Sequence, residues 1–289
     1  MSHVDASPSS TKPPAAGSWP AHGWVGLGLI LVSWPLNWLL PGLRSHLLFF
    51  PLWLGYILTV DAVVLRRSGS SLLRRSPADL ARLFLVSVPV WWLFEALNLR
   101  LRNWEYPGSE HFGPQAYFLL SSIAYSTVIP AVFETAELLA TLPWSERLNA
   151  GRPFAAGRRL RLGLFGIGAA MLASLLAWPR IFYPFAWLSL LFLFDPLAHA
   201  IGRPSLLAHL EAGRRRPLLM LALGALVCGF FWELWNYHAY PKWTYNVPGL
   251  DFAHLFEMPL PGYLGYLPFG LELYPFTHLL LPRPPALRL

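Results

Sequence analysis

Long apolar stretches separated by short polar loops dominate the hydrophobic pattern of this chain. Several apolar windows carry at most one or two charged residues. They reach the length of roughly 20 residues that a helix needs to cross the hydrocarbon core of a bilayer. Eight such spans are predicted, four in each half: 24–40, 46–65, 80–99, 116–140, 162–178, 181–201, 217–238 and 254–281. We therefore expect an all-α polytopic membrane protein with about eight transmembrane helices.

The composition supports a membrane protein. Hydrophobic residues make up 55% of the chain and charged residues 13%, with a mean hydropathy of +0.44, which lies outside the usual range of soluble domains. The single cysteine, Cys228, excludes an internal disulfide and a cysteine-based metal cluster. A net charge of +7 could suggest a nucleic-acid partner, but the positions of the basic residues point to membrane topology instead.

Basic residues concentrate in alternate loops. The N-terminal tail, the loops after the second, fourth and sixth spans, and the C-terminus together hold 17 of the 22 Lys and Arg residues. The positive-inside rule places this side, and with it both termini, in the cytoplasm. Residues 1–18, rich in Ser, Pro and Ala, are predicted to be a disordered cytoplasmic tail, and 143–161 a basic cytoplasmic linker.

A motif in the first half returns in the second. Residues 91–107 read WWLFEALNLRLRNWEYP and residues 230–248 read FFWELWNYHAYPKWTYNVP. Each places Glu three residues before Asn, followed by Trp-x-Tyr. The equivalent pairs, whose offsets along the chain agree to within one position, are Glu95/Glu233, Asn98/Asn236, Trp104/Trp243, Tyr106/Tyr245, Tyr125/Tyr263, Pro130/Pro268 and Glu134/Glu272. Such a constant offset predicts an internal duplication, with repeat 1 at 24–142 and repeat 2 at 162–281. Four spans in each repeat make the repeats parallel.

The last predicted span is irregular because prolines interrupt it. Pro259, Pro261, Pro268 and Pro275 all fall within 254–281, and a proline inside a helix removes a hydrogen bond and clashes with the preceding turn. Unpaired backbone groups are tolerated at membrane depth only against protein or a cavity. We therefore predict a broken or re-entrant helix that faces the interior of the bundle.

Acidic residues inside the spans are the main candidates for chemistry, because burying a carboxylate in hydrocarbon is costly. Glu95 and Glu233 are predicted to act as acid and base, with support from Glu257, Glu134 and Glu272. Since residues three apart share one helix face, Asn98 and Asn236 would orient them. The alternative is that these acids are polar clamps between helices. Asp61, five residues before Arg66, is interpreted as an interfacial salt bridge.

The aromatic residues of the motif also have two interpretations. Trp104, Tyr106, Trp243 and Tyr245 fit an interfacial belt, or they line a substrate pocket in which their rings stabilise a cation. No repeated His-x-x-His or Glu-x-x-His spacing occurs, so neither a metal nor another cofactor is expected. His199, His238 and His254 receive no predicted role.

The motif resembles the lycopene cyclase domain of the small, non-flavin membrane type, which carries Trp-Asp, Trp-x-Tyr and Pro-x-Glu-Glu in tandem copies. Glu95 precedes Trp104 by nine residues, and in the second copy Trp232 and Glu233 are adjacent. Pro259 follows Trp243 near the place of the Pro-led motif, but Leu260, Pro261 and Gly262 come after it in place of the Glu pair. The resemblance implies redox-neutral chemistry, in which an acid protonates an alkene and a base later removes a proton.

Three functions remain open from the sequence. The first is an intramembrane enzyme that cyclises or isomerises a carotenoid or another polyprenoid lipid. The second is a proton- or cation-coupled transporter, because parallel repeats and a broken helix also suit a permeation path. The third is a non-catalytic lipid-binding scaffold. The expected partners are the bilayer and a lipid substrate, and the sequence does not determine the oligomeric state.

Overall fold

The computed structural model describes residues 18–149, 151–250, 252–283 and 285–289. The predicted tail therefore lies almost entirely outside the described residues. Most of the described chain is helical. The α-helices are α1 (Ala21–Leu39), α2 (Ser45–Ser68), α3 (Leu72–Arg75), α4 (Pro77–Leu101), α5 (Pro114–Tyr125), α6 (Val128–Ala140), α7 (Arg158–Ala177), α8 (Pro179–Phe182), α9 (Ala186–Ala200), α10 (Leu206–Glu211), α11 (Arg216–Asn236) and α12 (Tyr266–Leu280). Four two-residue strands are β1 (Trp104–Glu105), β2 (Thr244–Tyr245), β3 (His254–Leu255) and β4 (Met258–Pro259).

Six helical segments of the described chain are long and apolar enough to cross a membrane. They are Ser45–Ser68, Pro77–Leu101, Pro114–Ala140, Arg158–Ala177, Pro179–Ala200 and Arg216–Asn236. The expectation of a multi-pass helical membrane protein is confirmed to that extent. The first and last of the eight predicted spans, α1 and α12, are not among the six. α12 has 15 residues and is about 22 Å long, shorter than a hydrocarbon core.

In residues 254–281, the region predicted to be a broken span, the helix begins later than expected. Residues 254–259 form a small antiparallel hairpin, in which β3 pairs with β4. A 3₁₀ segment, Leu260–Gly265, leads into α12 at Tyr266. Pro259 and Pro261 explain the late start, because neither can donate a backbone hydrogen bond to a preceding helical turn.

Close helix packing places α11 between α6 and α12. A Cβ atom added at Gly224 would approach the Val132 carbonyl oxygen to 3.0 Å, and one added at Gly270 would clash with the Leu221 carbonyl oxygen. Small residues at such crossings let helix backbones approach in membrane proteins. The first contact joins α6 of the first half to α11, and the second fixes α12 against α11.

The outer faces of several helices are apolar and exposed. Leu31 of α1, Leu99 of α4 and Phe118 of α5 are all more than half exposed. A soluble monomer seldom presents so many large apolar side chains, whereas a lipid environment accepts them.

The predicted linker is held against the second half. Its first part is a 3₁₀ segment, Pro143–Asn149. Gly151 N donates a hydrogen bond of 3.0 Å to the Gly213 carbonyl oxygen, and Ala156 N donates one of 2.5 Å to the Glu211 carboxylate. The end of α10 and the loop after it therefore anchor the described part of this segment.

Candidate functional site

The two copies of the motif meet at the Trp-x-Tyr segments. β1 and β2 pair in an antiparallel manner, with Trp104 opposite Tyr245 and Glu105 opposite Thr244. In addition, Asn246 N donates a 2.8 Å hydrogen bond to the Asn103 carbonyl oxygen. Backbone hydrogen bonds thus join segments that belong to opposite halves of the chain.

Each motif asparagine fastens its own Trp-x-Tyr segment to the end of a helix. The side-chain amide of Asn98 donates to the Trp104 carbonyl oxygen at 2.7 Å, and its oxygen accepts from the backbone N–H groups of Asn103 and Trp104. Asn236 makes the equivalent pair of bonds with Trp243, at 2.7 and 2.9 Å. The asparagines therefore position the backbone of the Trp-x-Tyr segments. Among the described residues, no hydrogen bond joins Asn98 to Glu95 or Asn236 to Glu233, contrary to the expectation from the sequence.

Glu95, on α4, collects three donors on one oxygen. Its Oε1 accepts from Tyr106 Oη at 2.6 Å, from Trp91 Nε1 at 2.9 Å and from Trp104 Nε1 at 3.2 Å. Tyr125 Oη lies 3.4 Å from Tyr106 Oη and extends the chain of polar atoms. These three hydrogen bonds tie aromatic side chains of the same motif to Glu95.

Glu233, on α11, has a related but more buried arrangement. Its Oε1 accepts from Tyr245 Oη at 2.6 Å, from Tyr266 Oη at 2.8 Å and, more weakly, from Trp243 Nε1 at 3.4 Å. The residue is fully buried, and its Oε2 has no hydrogen-bond partner among the described residues. An unpaired buried carboxylate oxygen is costly, which marks this copy as the one with unused hydrogen-bonding capacity.

The motif tyrosines stay neutral over the physiological range. Burial raises the pKa of Tyr106 and of Tyr245 well above the ordinary value, and the adjacent carboxylates, Glu95 and Glu233, act in the same direction. A neutral phenol can donate a proton to one partner while it accepts from another. Both hydroxyl groups can therefore pass a proton between a carboxyl group and a bound molecule.

A partly open cavity of about 450 Å³ lies between the two motif copies. This volume falls within the range of small-molecule binding sites. Many aromatic residues from both halves of the chain line it: Phe49, Phe50, Trp91, Trp104, Tyr106, Phe112, Tyr117, Tyr125, Tyr183, Trp187, Trp232, Trp243, Tyr245, Tyr266 and Phe269. Leu264 and Ile123 are the exposed large apolar residues of the lining, at 66% and 40%.

None of the five predicted catalytic acids belongs to the described lining of this cavity. Glu95 and Glu233 lie behind it and reach it through the hydroxyl groups of Tyr106, Tyr245 and Tyr266. The structure thus brings two of the acids close to one cavity, and each is linked to its lining through tyrosine hydroxyl groups. Trp104, Tyr106, Trp243 and Tyr245, all predicted to bind substrate, do line it.

Among the described residues, the other three acids make no hydrogen bond to the tyrosines of the cavity. Glu257 forms an ion pair with Lys242. Glu134 and Glu272 are completely buried, and none of their four carboxylate oxygens has a hydrogen-bond partner within the described chain. Glu134 lies near Asp61 and Glu137. Glu257 therefore borders the aromatic cavity through Lys242, which belongs to the lining, whereas Glu134 and Glu272 have no such link within the described chain.

The predicted salt bridge between Asp61 and Arg66 is wrong. Asp61 accepts from Ser71 Oγ at 2.7 Å and from Leu73 N at 2.9 Å, and His22 Nε2 lies 3.0 Å away. In the second half of the chain, Asp195 of α9 accepts hydrogen bonds in the same way from the backbone N–H groups of Leu206 and Leu207, at the start of α10. Both aspartates therefore hold a short helix in the following loop.

Several residues of the cavity were missed from the sequence. Tyr266 bonds directly to Glu233, but the equivalent position of the first repeat is Val128, so the repeat gives no signal for it. Trp187 and Phe269 pack edge to face at 5.7 Å and lie outside the motif. Their place on the cavity wall follows from helix packing, which sequence spacing does not reveal.

Comparisons with protein-family models, with curated proteins and with solved structures found no match. The resemblance to lycopene cyclases therefore stays a prediction from the motif. Function is inferred below from the geometry of the cavity and its two carboxylates.

Proposed function

We propose that this protein is an intramembrane enzyme that cyclises or isomerises a carotenoid or another polyprenoid lipid by redox-neutral acid–base chemistry. The observation that carries the proposal is the aromatic cavity, with both motif glutamates behind its lining. Tyrosine hydroxyl groups that line the cavity bond to both carboxyl groups. Exposed apolar residues of the lining, Leu264 and Ile123, suit a substrate that arrives from lipid.

In this mechanism the substrate keeps its formula. A proton from one carboxyl group reaches a terminal alkene through a tyrosine hydroxyl group, that of Tyr106 for Glu95 or that of Tyr245 or Tyr266 for Glu233. The electron pair of the double bond forms the new C–H bond and leaves a tertiary cation. A neighbouring double bond attacks this cation and closes a ring, which moves the positive charge to the other carbon of that double bond. A carboxylate then takes a proton from a carbon next to the new cation, and a double bond forms again. Electron-rich ring faces stabilise cations at close range.

The proposed architecture is a pair of parallel four-span repeats with both termini in the cytoplasm. Equivalent packing supports it: α6 packs against α2, α4 and α11, while α12 packs against α9, α11 and α4. The matched hydrogen bonds of Asn98 and Asn236 support it as well. α1 and α12 would complete the eight spans, α12 together with the 3₁₀ segment before it.

Expression in a host that accumulates an acyclic carotenoid tests the activity. We expect a new pigment of identical mass and shorter retention, found by chromatography with mass spectrometry. Glu233→Gln keeps the side-chain size and removes the proton-transfer group, so conversion should fall at least about 100-fold. Glu105→Gln, at an exposed position of β1, is the matched control and should convert normally. Unchanged pigment in every strain, with the protein present in the membrane, contradicts the proposal for that substrate.

A non-catalytic lipid-binding scaffold is the second candidate. It is favoured by the donors to Glu95, because Trp91, Trp104 and Tyr106 all belong to the same motif. A carboxylate used only as a clamp predicts that Glu95→Gln lowers the melting temperature and changes no lipid. Lipid analysis beside thermal unfolding separates the two candidates.

A further inference from the structure

The polar atoms of the cavity define the kind of lipid that fits it, which deepens the proposed function and rests on it. Most lining residues are apolar or aromatic, but a polar end lies where α2 begins. There Ser45 N donates to the Tyr240 carbonyl oxygen at 3.0 Å, and Tyr240 N donates to Ser45 Oγ at 2.8 Å. These two hydrogen bonds hold His46 and Lys242, which follow closely in sequence, at the same junction. Both line the cavity.

His46 has unused hydrogen-bonding capacity. Its Nδ1 is buried and has no partner among the described residues, and its ring packs edge to face on Phe112 at 5.2 Å. Both nitrogens of an imidazole ring can form hydrogen bonds, and the residue belongs to the lining of the cavity. A pure hydrocarbon would leave this group unpaired in an apolar surrounding, which is unfavourable.

The charge at this end argues against a phosphate group. Lys242 forms an ion pair with Glu257, so its positive charge is already balanced. Among the described lining residues, no other Lys or Arg is present. A diphosphate would enter an apolar cavity without the cations it needs, whereas a hydroxyl group needs only one partner.

We propose that the cavity binds an isoprenoid alcohol, with the hydroxyl group hydrogen-bonded to His46 and the chain against the aromatic walls. The substrate class of the enzyme is then a hydroxylated polyprenoid instead of an unmodified hydrocarbon. One well-placed hydrogen bond in such a cavity should give about a tenfold preference for the alcohol.

Tryptophan fluorescence tests the preference, because Trp91, Trp104, Trp187, Trp232 and Trp243 all line the cavity. The purified full-length protein in nanodiscs is titrated with geranylgeraniol, with the hydrocarbon of the same chain, and with geranylgeranyl diphosphate. We expect the alcohol to bind about tenfold more tightly than the hydrocarbon, and the diphosphate more weakly than the alcohol. Equal binding of alcohol and hydrocarbon overturns the inference, and so does tighter binding of the diphosphate.

His46→Phe assigns the preference to the imidazole, since phenylalanine keeps the packing against Phe112 and removes the nitrogen atoms. The alcohol should then bind no better than the hydrocarbon, whose affinity stays unchanged. His238→Phe is the control: His238 packs on Trp38 and Tyr237 and does not line the cavity, so the tenfold preference should remain. A preference that survives in His46→Phe refutes the role of His46.

The titrations also separate this inference from the proposed function. If the hydrocarbon and the alcohol bind equally well, the cavity still accepts a polyprenoid and only the role of His46 is lost. If neither changes the fluorescence of the wild-type protein, both proposals fail together. Neither comparison in the wild-type protein depends on the folding of a variant.

Discussion

Trp104 and Tyr245 are direct backbone partners in a two-stranded antiparallel sheet. Trp104 begins the Trp-x-Tyr of the first motif copy, and Tyr245 ends that of the second. Each of the two segments is also tied to its own helix by an asparagine. The sheet therefore joins the ends of α4 and α11 across the rim of the aromatic cavity.

Removal of either asparagine side chain should loosen this rim. Asn98→Ala and Asn236→Ala leave backbone groups of Trp104 or Trp243 without their partners, at a cost of about 2–3 kcal/mol. Thermal unfolding in detergent should show a melting temperature lowered by several degrees. Asn246→Ala is the control, because this exposed asparagine bonds through its backbone N–H. Equal changes in melting temperature for all three substitutions would show that the side chains of Asn98 and Asn236 do not stabilise the protein.

Tyr266 should matter for activity more than its neighbour Tyr263. Tyr266→Phe removes one of the donors to Glu233, and a hydrogen bond to a charged group contributes about 1.5–3 kcal/mol. We expect conversion of the polyprenoid to fall roughly 10- to 100-fold. Tyr263 donates to the Leu255 carbonyl oxygen at an exposed site, so Tyr263→Phe should retain nearly full activity. A normal rate in Tyr266→Phe would remove this tyrosine from the proton path.

The stability of the protein should fall in mild acid because of His209. This histidine of α10 lies 2.9 Å from Tyr274 Oη. Burial, with smaller contributions from Arg214 and His278, lowers its pKa to about 4. Between pH 6.5 and pH 4 the unfolded chain binds a proton at this position and the folded chain does not, so stability decreases as the pH falls through this window.

Melting temperatures measured at pH 7 and pH 5 check this effect. We expect a loss of a few degrees in the wild-type protein and a smaller loss in His209→Gln, whose amide does not titrate. His111→Gln serves as the control, since His111 is exposed. A pH dependence identical in wild type and His209→Gln would assign the acid sensitivity to other groups.

The proposed topology can be read from cysteine labelling. Cys228 is completely buried, so the native protein should not react with a maleimide. Ser68→Cys and Gln115→Cys place a thiol at exposed positions on opposite sides of the proposed membrane. In intact cells an impermeant maleimide should label residue 115 and should label residue 68 only after permeabilisation. The reverse pattern would place the termini outside.

Sequence periodicity and composition were sufficient to predict a helical membrane protein, and the repeated Trp and Tyr residues of the motif line the aromatic cavity. The hydrogen bonds that these residues form depend on distances between side chains in the folded protein, which their spacing along the sequence does not define. Asn98 was expected to orient Glu95, yet its amide has the reach and geometry to pair with the backbone of Trp104. Tyr266 has no repeated counterpart, and the start of α12 was misplaced because the prolines before it delay the helix.

The position of α11 between α6 and α12 has a consequence for the origin of the chain. A surface of the first half, on α6, is covered by α11 of the second half, and Gly224 is the residue that permits the approach. A protein made of a single half would expose that surface and lack one wall of the cavity. The ancestor of the proposed tandem arrangement would therefore have worked as a pair of identical subunits, and fusion of their genes would have let the two walls diverge.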